Sequence, residues 1–282
     1  MNYLLIYFGE KPRYIRYCIN SILSVDSDAK IYFCSDKSVK YKNVEYINSI
    51  DVSSDLTKNI EEIDIYKNTN YEASPLWKTS LLRVFYLYDI SKSLDLNSFI
   101  HFDTDVLIYK PYSKLLNSFD KGRFNVTPLN EDELIFGYSY SNNLPTYKKI
   151  IESISDLIVN KKIDLKEPLN EMKILNKVFK QNKDWFNLLP IIPEGSDLIF
   201  DPASYGQYIG GIEGKPRKIF RKPWAGDHHY VGREIINKNI KVKYKNNTPY
   251  VLKNNLKYDL VNLHVHSKNL AKYLPKDYKE YC

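Results

Sequence analysis

Tyr3-Leu4-Leu5-Ile6-Tyr7-Phe8 is an unbroken apolar run that halts at Gly9. That is the pattern of a strand buried on both faces of a parallel sheet, not of one that alternates core and solvent. A helix is expected next: Pro12 suits a first turn, and Tyr14, Ile15, Cys18, Ile19, Ile22 and Leu23 recur at three- and four-residue steps that gather them on one face. Lys30-Ile31-Tyr32-Phe33-Cys34 then reads as a second strand running into Ser35-Asp36. Strand, helix and strand in that order form a βαβ unit, which predicts an α/β fold with its ligand at the carboxyl ends of the strands.

Downstream, Val44 to Ile47 reads as a short strand, and the polar remainder of residues 41–72 as a loop with a helical turn. Ser74-Pro75 marks a helix start, a capping hydroxyl followed by a first-turn proline, with the helix running Leu76 to Tyr88. Ser98-Phe99-Ile100-His101-Phe102 is a strand that ends in Asp103-Thr104-Asp105, after which Val106 to Tyr109 is apolar again. Helices are expected at Leu144 to Lys161 and Asn170 to Gln181. Asp201-Pro202 opens a short aromatic segment, Ala203 to Ile209, that stops at Gly210-Gly211. Residues 212–255 read as basic and loop-rich with a helix at Tyr230 to Asn237, and Leu260 to His266 as a closing strand.

The chain has 282 residues, 43% apolar and 27% charged, which excludes collagen-like, coiled-coil and wholly disordered classes and leaves room for a large core. Its 41 Lys and Arg exceed its 34 Asp and Glu by seven, a mild excess that favours anionic partners such as phosphates or an acidic membrane surface. The lysines are scattered rather than concentrated on one element, which argues against a nucleic-acid partner. Cys18, Cys34 and Cys282 are an odd number without CxxC spacing, so neither a disulfide framework nor a zinc site is expected. The opening apolar run is too short for a signal peptide or a membrane span, and a soluble cytoplasmic protein is expected.

Asp103 and Asp105 carry the chemistry. Alternate residues at a strand end point the same way, and two carboxylates so placed suit a hard divalent cation, Mn²⁺ or Mg²⁺. A bare Asp-x-Asp is also a common solvated turn. Here, however, the order is fixed: Leu81-Leu82-Arg83-Val84-Phe85-Tyr86-Leu87-Tyr88, then the Ser98–Phe102 strand, then Asp103-Thr104-Asp105-Val106-Leu107. Over roughly positions 74 to 116 this order resembles the signature of GT-A fold glycosyltransferases. The resemblance implies a Rossmann-like mixed central sheet flanked by helices, with a C-terminal extension folding back on the core. It also implies one domain over residues 1–282, with a donor-binding half at about 1–115 and an acceptor-side half with the extension at about 116–282. The implied activity is metal-dependent transfer of a sugar from a UDP- or GDP-sugar donor to a glycan or lipid-linked saccharide acceptor.

Carried over residue by residue, the resemblance gives Asp105 as the direct metal ligand and Asp103 as a ligand shared with the donor ribose. Arg83 and Lys78 would face the donor, and Phe8, Gly9 and Asp36 would line the base and ribose pocket. His264 and His266 point to one side of a strand with Lys268 just beyond, and the resemblance makes a late histidine complete the metal site while Lys268 meets phosphate. Which histidine ligates stays open. Glu171, at the start of its helix, is either an acceptor-side carboxylate or a charge favoured by the helix dipole. Asp201 and Asp227 are further catalytic candidates, Asp201 with a helix cap as its alternative. Tyr205, Tyr208, Trp224 and Tyr230 could stack on acceptor sugars, and the run Lys215 to Lys222 could meet acidic head groups or a lipid diphosphate. Two other classes fit less well: a haloacid-dehalogenase-like phosphohydrolase with Asp103 as nucleophile, and a carbohydrate-binding module using the aromatics alone.

Overall fold

The opening apolar run forms β1 (Asn2–Ile6), and it is apolar throughout because both its faces are covered: Tyr3 and Leu5 enter one core, Leu4 and Ile6 another. The computed structural model describes residues 1–63, 65–67, 69, 72–160, 170–212, 215–216 and 226–282. After β1 come α1 (Tyr14–Val25), β2 (Lys30–Ser35), β3 (Val44–Asn48), α2 (Ser49–Val52), α3 (Asp55–Glu62), α4 (Pro75–Ser93), β4 (Phe99–His101) and β5 (Val106–Ile108). The middle of the chain gives β6 (Phe124–Asn130), β7 (Glu133–Ser141), α5 (Leu144–Val159), α6 (Glu171–Gln181), β8 (Phe186–Leu188), β9 (Leu198–Ile199) and α7 (Ser204–Gly210). The last part gives β10 (Gly211–Ile212), β11 (Lys215–Pro216), α8 (Tyr230–Ile236), β12 (Lys241–Lys245), β13 (Thr248–Lys253), β14 (Leu256–Leu260) and β15 (Asn262–His264).

The central sheet is mixed, in the order β3-β2-β1-β4-β7-β6-β8. Its first four strands are mutually parallel, β7 runs antiparallel to β4 and β6, and β8 is parallel to β6. Helices α3 to α6 cover one face; α1 and the C-terminal part cover the other. The expected α/β fold with a mixed central sheet and a C-terminal extension folding back is what the chain adopts. The return is made by β15 pairing antiparallel with β5, and by β14 pairing with β9 in a second sheet ordered β12-β13-β14-β9.

Several expectations are corrected. The polar stretch before residue 64 holds two helices, α2 and α3, capped by Asn48 and Ser54 through bonds to Ile50 and Thr57 N–H. Ser74 makes no side-chain cap bond at α4, although Pro75 does occupy the first turn. The basic region read as loops contains β12 and β13, in which Lys241, Lys243 and Lys245 are exposed while Val242 and Tyr244 pack on the core. The closing strand is two strands, β14 and β15, divided at Val261. Lys161, the expected end of the third helix, and most of the Lys215–Lys222 run lie outside the described residues. No described helix is long and apolar enough to cross a membrane.

Candidate metal centre and cleft

β4 leaves the central sheet at Phe102, and the chain turns through Asp103-Thr104-Asp105 into β5. The turn is fixed by its backbone: Asp103 N–H donates to Phe136 O (3.3 Å) and Val106 N–H to Asp103 O (3.1 Å). β15 lies antiparallel against β5 with His264 opposite Val106, and Val265 N–H donates to Asp105 O (2.9 Å). Strand pairing thus delivers a histidine from position 264 to carboxylates 160 residues earlier in the chain. His264 Nε2 is 3.0 Å from Asp105 Oδ1 and 3.8 Å from Asp103 Oδ2. One ligand atom from each of Asp103, Asp105 and His264 lies within 4.8 Å of the others, the one group among the described residues with spacing suited to a metal ion.

Two cations border this group. Lys268, held in a left-handed conformation at φ +62°, reaches back to pair with Asp105 Oδ2. Arg83, on α4, pairs with Asp103 Oδ1, stands 3.6 Å from Glu171 Oε1 and lies over the Phe136 ring. Burial pushes the Asp105 carboxyl up, but His264 and Lys268 outweigh it and hold the group well below the usual carboxylate range. Two carboxylates and an imidazole around one point match the donor set that hard or borderline divalent ions accept.

The group stands on the wall of a cleft of about 650 Å³. Tyr7, Phe8, Tyr14, Trp77 in the first turn of α4, Glu133, Asn170, Glu171, Gln207, His228 and His229 line it as well. Asn170 caps α6, its side chain accepting from Lys173 N–H (2.9 Å), so Glu171 is not the cap. The Glu171 carboxyl is buried, Oε2 has no hydrogen-bond partner among the described residues, and burial raises its pKa against the opposing pull of Arg83. His266 also lines the cleft but is not in the three-residue group; burial, then the neighbouring His264, pushes it down to about 4.

Of the other residues singled out in the sequence, Phe8, Arg83, Asp103, Asp105, Glu171, His264 and Lys268 face this one cleft. Gly9 and Asp36 do not line it: Gly9 N–H donates to Asp36 Oδ1 (2.8 Å), and the pair ties the loop after β1 to the end of β2. Lys78 is absent from the lining, where its neighbours Trp77 and Thr79 stand. Asp227 is corrected from a catalytic candidate to a surface residue, its side chain 80% exposed and 3.8 Å from His228. Tyr205 is fully buried with its hydroxyl donating to Ile191 O (2.7 Å), which makes it a packing residue rather than a sugar platform. Tyr208 and Tyr230 do not line the cleft, and Trp224 lies outside the described residues. Asp201 is fully buried and touches no cleft surface. Burial pushes it up to about 6, against three backbone N–H groups that favour its charged form. The residues that sequence reasoning passed over are His228 and His229, beside the Asp227 it chose, and Trp77, beside the Ser74-Pro75 it read as a helix start.

No protein-family model matches the chain, and no curated protein matches it. Among solved structures, mouse xyloside xylosyltransferase 1 in its apo form is similar at 11% identity and a TM-score of 0.43, over 67% of this chain and 86% of that one. PaToxG glycosyltransferase is similar at 13% identity and a TM-score of 0.41, over 64% and 69%. The glycosyltransferase GlyE of Streptococcus pneumoniae TIGR4 is similar at 14% and 0.41, over 67% of this chain and 44% of that one, so the chain spans under half of GlyE. Likeness this distant assigns no activity, and the functional reading falls to the site itself.

Proposed function

We propose that the chain is a metal-dependent glycosyltransferase that moves a sugar from a nucleoside diphosphate sugar to a hydroxyl of a saccharide acceptor. The observation that carries this is the convergence of Asp103, Asp105 and His264 within 4.8 Å at the wall of one cleft, with Lys268 against Asp105. Mn²⁺ or Mg²⁺ held by those three residues would neutralise the diphosphate as it leaves. The chain's own part is electrostatic and positional. Lys268 and Arg83 supply positive charge where the departing diphosphate gathers negative charge. Tyr7, Phe8 and Trp77 give the donor side aromatic faces, and Asp105, kept ionised by its neighbours, stays available as a ligand at neutral pH. Glu171, which lines the same cleft beside Arg83, is the carboxylate we assign to orient or deprotonate an acceptor hydroxyl.

A thermal-shift panel of UDP-, GDP- and CMP-sugars with and without Mn²⁺ tests the reading. A ligand bound at about 100 times its Kd stabilises by ~2.7 kcal/mol, a shift of several degrees for a chain of this size. The expected result is a shift that needs nucleotide and metal together. Absence of any such shift across the panel overturns the proposal, as does sugar transfer by Asp105→Ala at the wild-type rate.

A further inference from the structure

Asp201 is the only candidate acid buried away from the cleft that nonetheless touches the metal group. Its carboxylate accepts three backbone N–H bonds: Tyr205 (2.8 Å) and Gly206 (2.9 Å) at the first turn of α7, and His264 (2.9 Å) at the end of β15. Its own position is fixed by Asn262 of β15, whose Oδ1 accepts Asp201 N–H (3.0 Å) and whose Nδ2 donates to Asp201 O (3.1 Å) and Gly137 O (3.0 Å). Ala203, in the link between Asp201 and α7, is held at φ +70°, a conformation that surrounding structure must impose on a residue with a Cβ. Helix and strand are in backbone contact here: a Cβ on Gly206 would stand 1.9 Å from His264 O.

The His264 ring has no second anchor. A histidine that ligates a metal is ordinarily oriented by a hydrogen bond from its other ring nitrogen. Among the described residues His264 Nδ1 has no such partner, although the residue is buried. Among the described residues, the polar contacts of His264 apart from its Nε2 facing Asp105 and Asp103 act on its backbone, and of these Asp201 is the one supplied by a side chain. We infer that Asp201 is a positioning residue for the metal centre, a buried clip that joins α7 to β15 and sets where His264 Nε2 meets Asp103 and Asp105. The inference rests on the metal reading above and assigns to Asp201 an indirect role in place of a catalytic one.

The test is Mn²⁺ titration of the full-length chain, followed by the loss of free-ion signal in electron paramagnetic resonance, with far-UV circular dichroism and melting run on each variant. Asp201→Ala is expected to weaken Mn²⁺ binding by roughly 10- to 100-fold. His264→Ala is expected to weaken it at least as much, and Asp201→Ala in the His264→Ala background to add nothing, because the clip acts only through that ring. Asp89→Ala is the control for destabilisation alone: that buried carboxylate likewise accepts a backbone N–H, from Ser54 (3.0 Å), but does not line the cleft. It should melt earlier with wild-type Mn²⁺ affinity. Should Asp201→Ala fail to fold, Asp201→Asn, which keeps an acceptor oxygen, takes its place with a smaller expected loss. A folded Asp201 variant with wild-type Mn²⁺ affinity, or additive losses in the double variant, overturns the inference while leaving the metal reading intact. Wild-type protein that binds no Mn²⁺, alone or with UDP, overturns both.

Discussion

The two histidines of His264-Val265-His266 are equivalent by spacing, since both face one side of an extended strand, and only tertiary contact separates them. β15 ends at His264, whose Nε2 lies 3.0 Å from Asp105 Oδ1, whereas His266 is past the strand with its N–H donating to His264 O. His264→Ala should therefore weaken Mn²⁺ binding at least ~tenfold, about 1.4 kcal/mol, and His266→Ala should leave it within about twofold. Titration of both variants decides; the reverse order would move the ligand role to His266. A second expectation concerns the thiols. Cys18 and Cys34 are fully buried and Cys282 is not. Burial pushes the Cys34 thiol up to about 12, whereas an unfolded thiol ionises near about 8.5. The sign follows: the unfolded state releases the proton first, so the stability gained by keeping Cys34 neutral is whole below about pH 8.5 and is lost as pH rises toward 12. A maleimide at neutral pH should label Cys282 alone in the native chain and all three cysteines in denaturant. Labelling of Cys34 in the native chain would refute its burial.

At the level of helices and strands, the tightest constraint on the site is the contact of α7 with β15. Gly206→Ala places a Cβ 1.9 Å from His264 O, so one backbone must move. Overpacking of this kind costs about 1–3 kcal/mol, and here the displaced strand carries the metal ligand. Both a lower melting temperature and weaker Mn²⁺ binding are expected, and unchanged binding would mean that α7 alone yields. What could be read from the sequence divides by the same physics. β1, α1, β2, α4 and β4 were legible because each is buried enough for its apolar pattern to match its period, as when Leu4 and Ile6 face one core and Tyr3 and Leu5 the other. β12 was not: a strand at the edge of a sheet with one wet face spells Lys-Val-Lys-Tyr-Lys, and counted as composition that reads as a basic loop. The grouping of Asp103 with Asp105 followed from their order along one contiguous segment, whereas the burial of Asp201 and Tyr205 and the exposure of Asp227 are tertiary facts that nothing local reveals. Asp227 lies beside the His228–His229 pair in sequence, yet its side chain is exposed to solvent.

For the molecule as a whole, the two cores raise the question of whether they are one cooperative unit. The core under α1 draws Tyr3 and Leu5 from β1 and Leu263, Val265, Leu270 and Tyr273 from the chain's end, while the core under α4 to α6 takes Leu4 and Ile6 from the same strand. A shared strand that alternates between them couples their stabilities, since neither can lose β1 without exposing the other. Residues 262–282 supply those four buried side chains, each worth about 1.5–3 kcal/mol, together of order 6–12 kcal/mol against the ~5–15 kcal/mol by which domains are stable. Ending the chain at residue 261 should then unfold both cores, not only the one it touches. Of the three tryptophans, Trp77 and Trp185 pack against the α4 to α6 core; Trp77 also lines the cleft, whereas Trp185 does not, so the Trp185 fluorescence reports the side that the truncation does not contact. In urea, the full-length chain should give coincident fluorescence and far-UV circular dichroism transitions, and the truncated chain should lose both in water. A truncated chain that keeps a native fluorescence transition would show instead that residues 1–261 hold an independently stable half, and that the metal group is assembled at a boundary between two units.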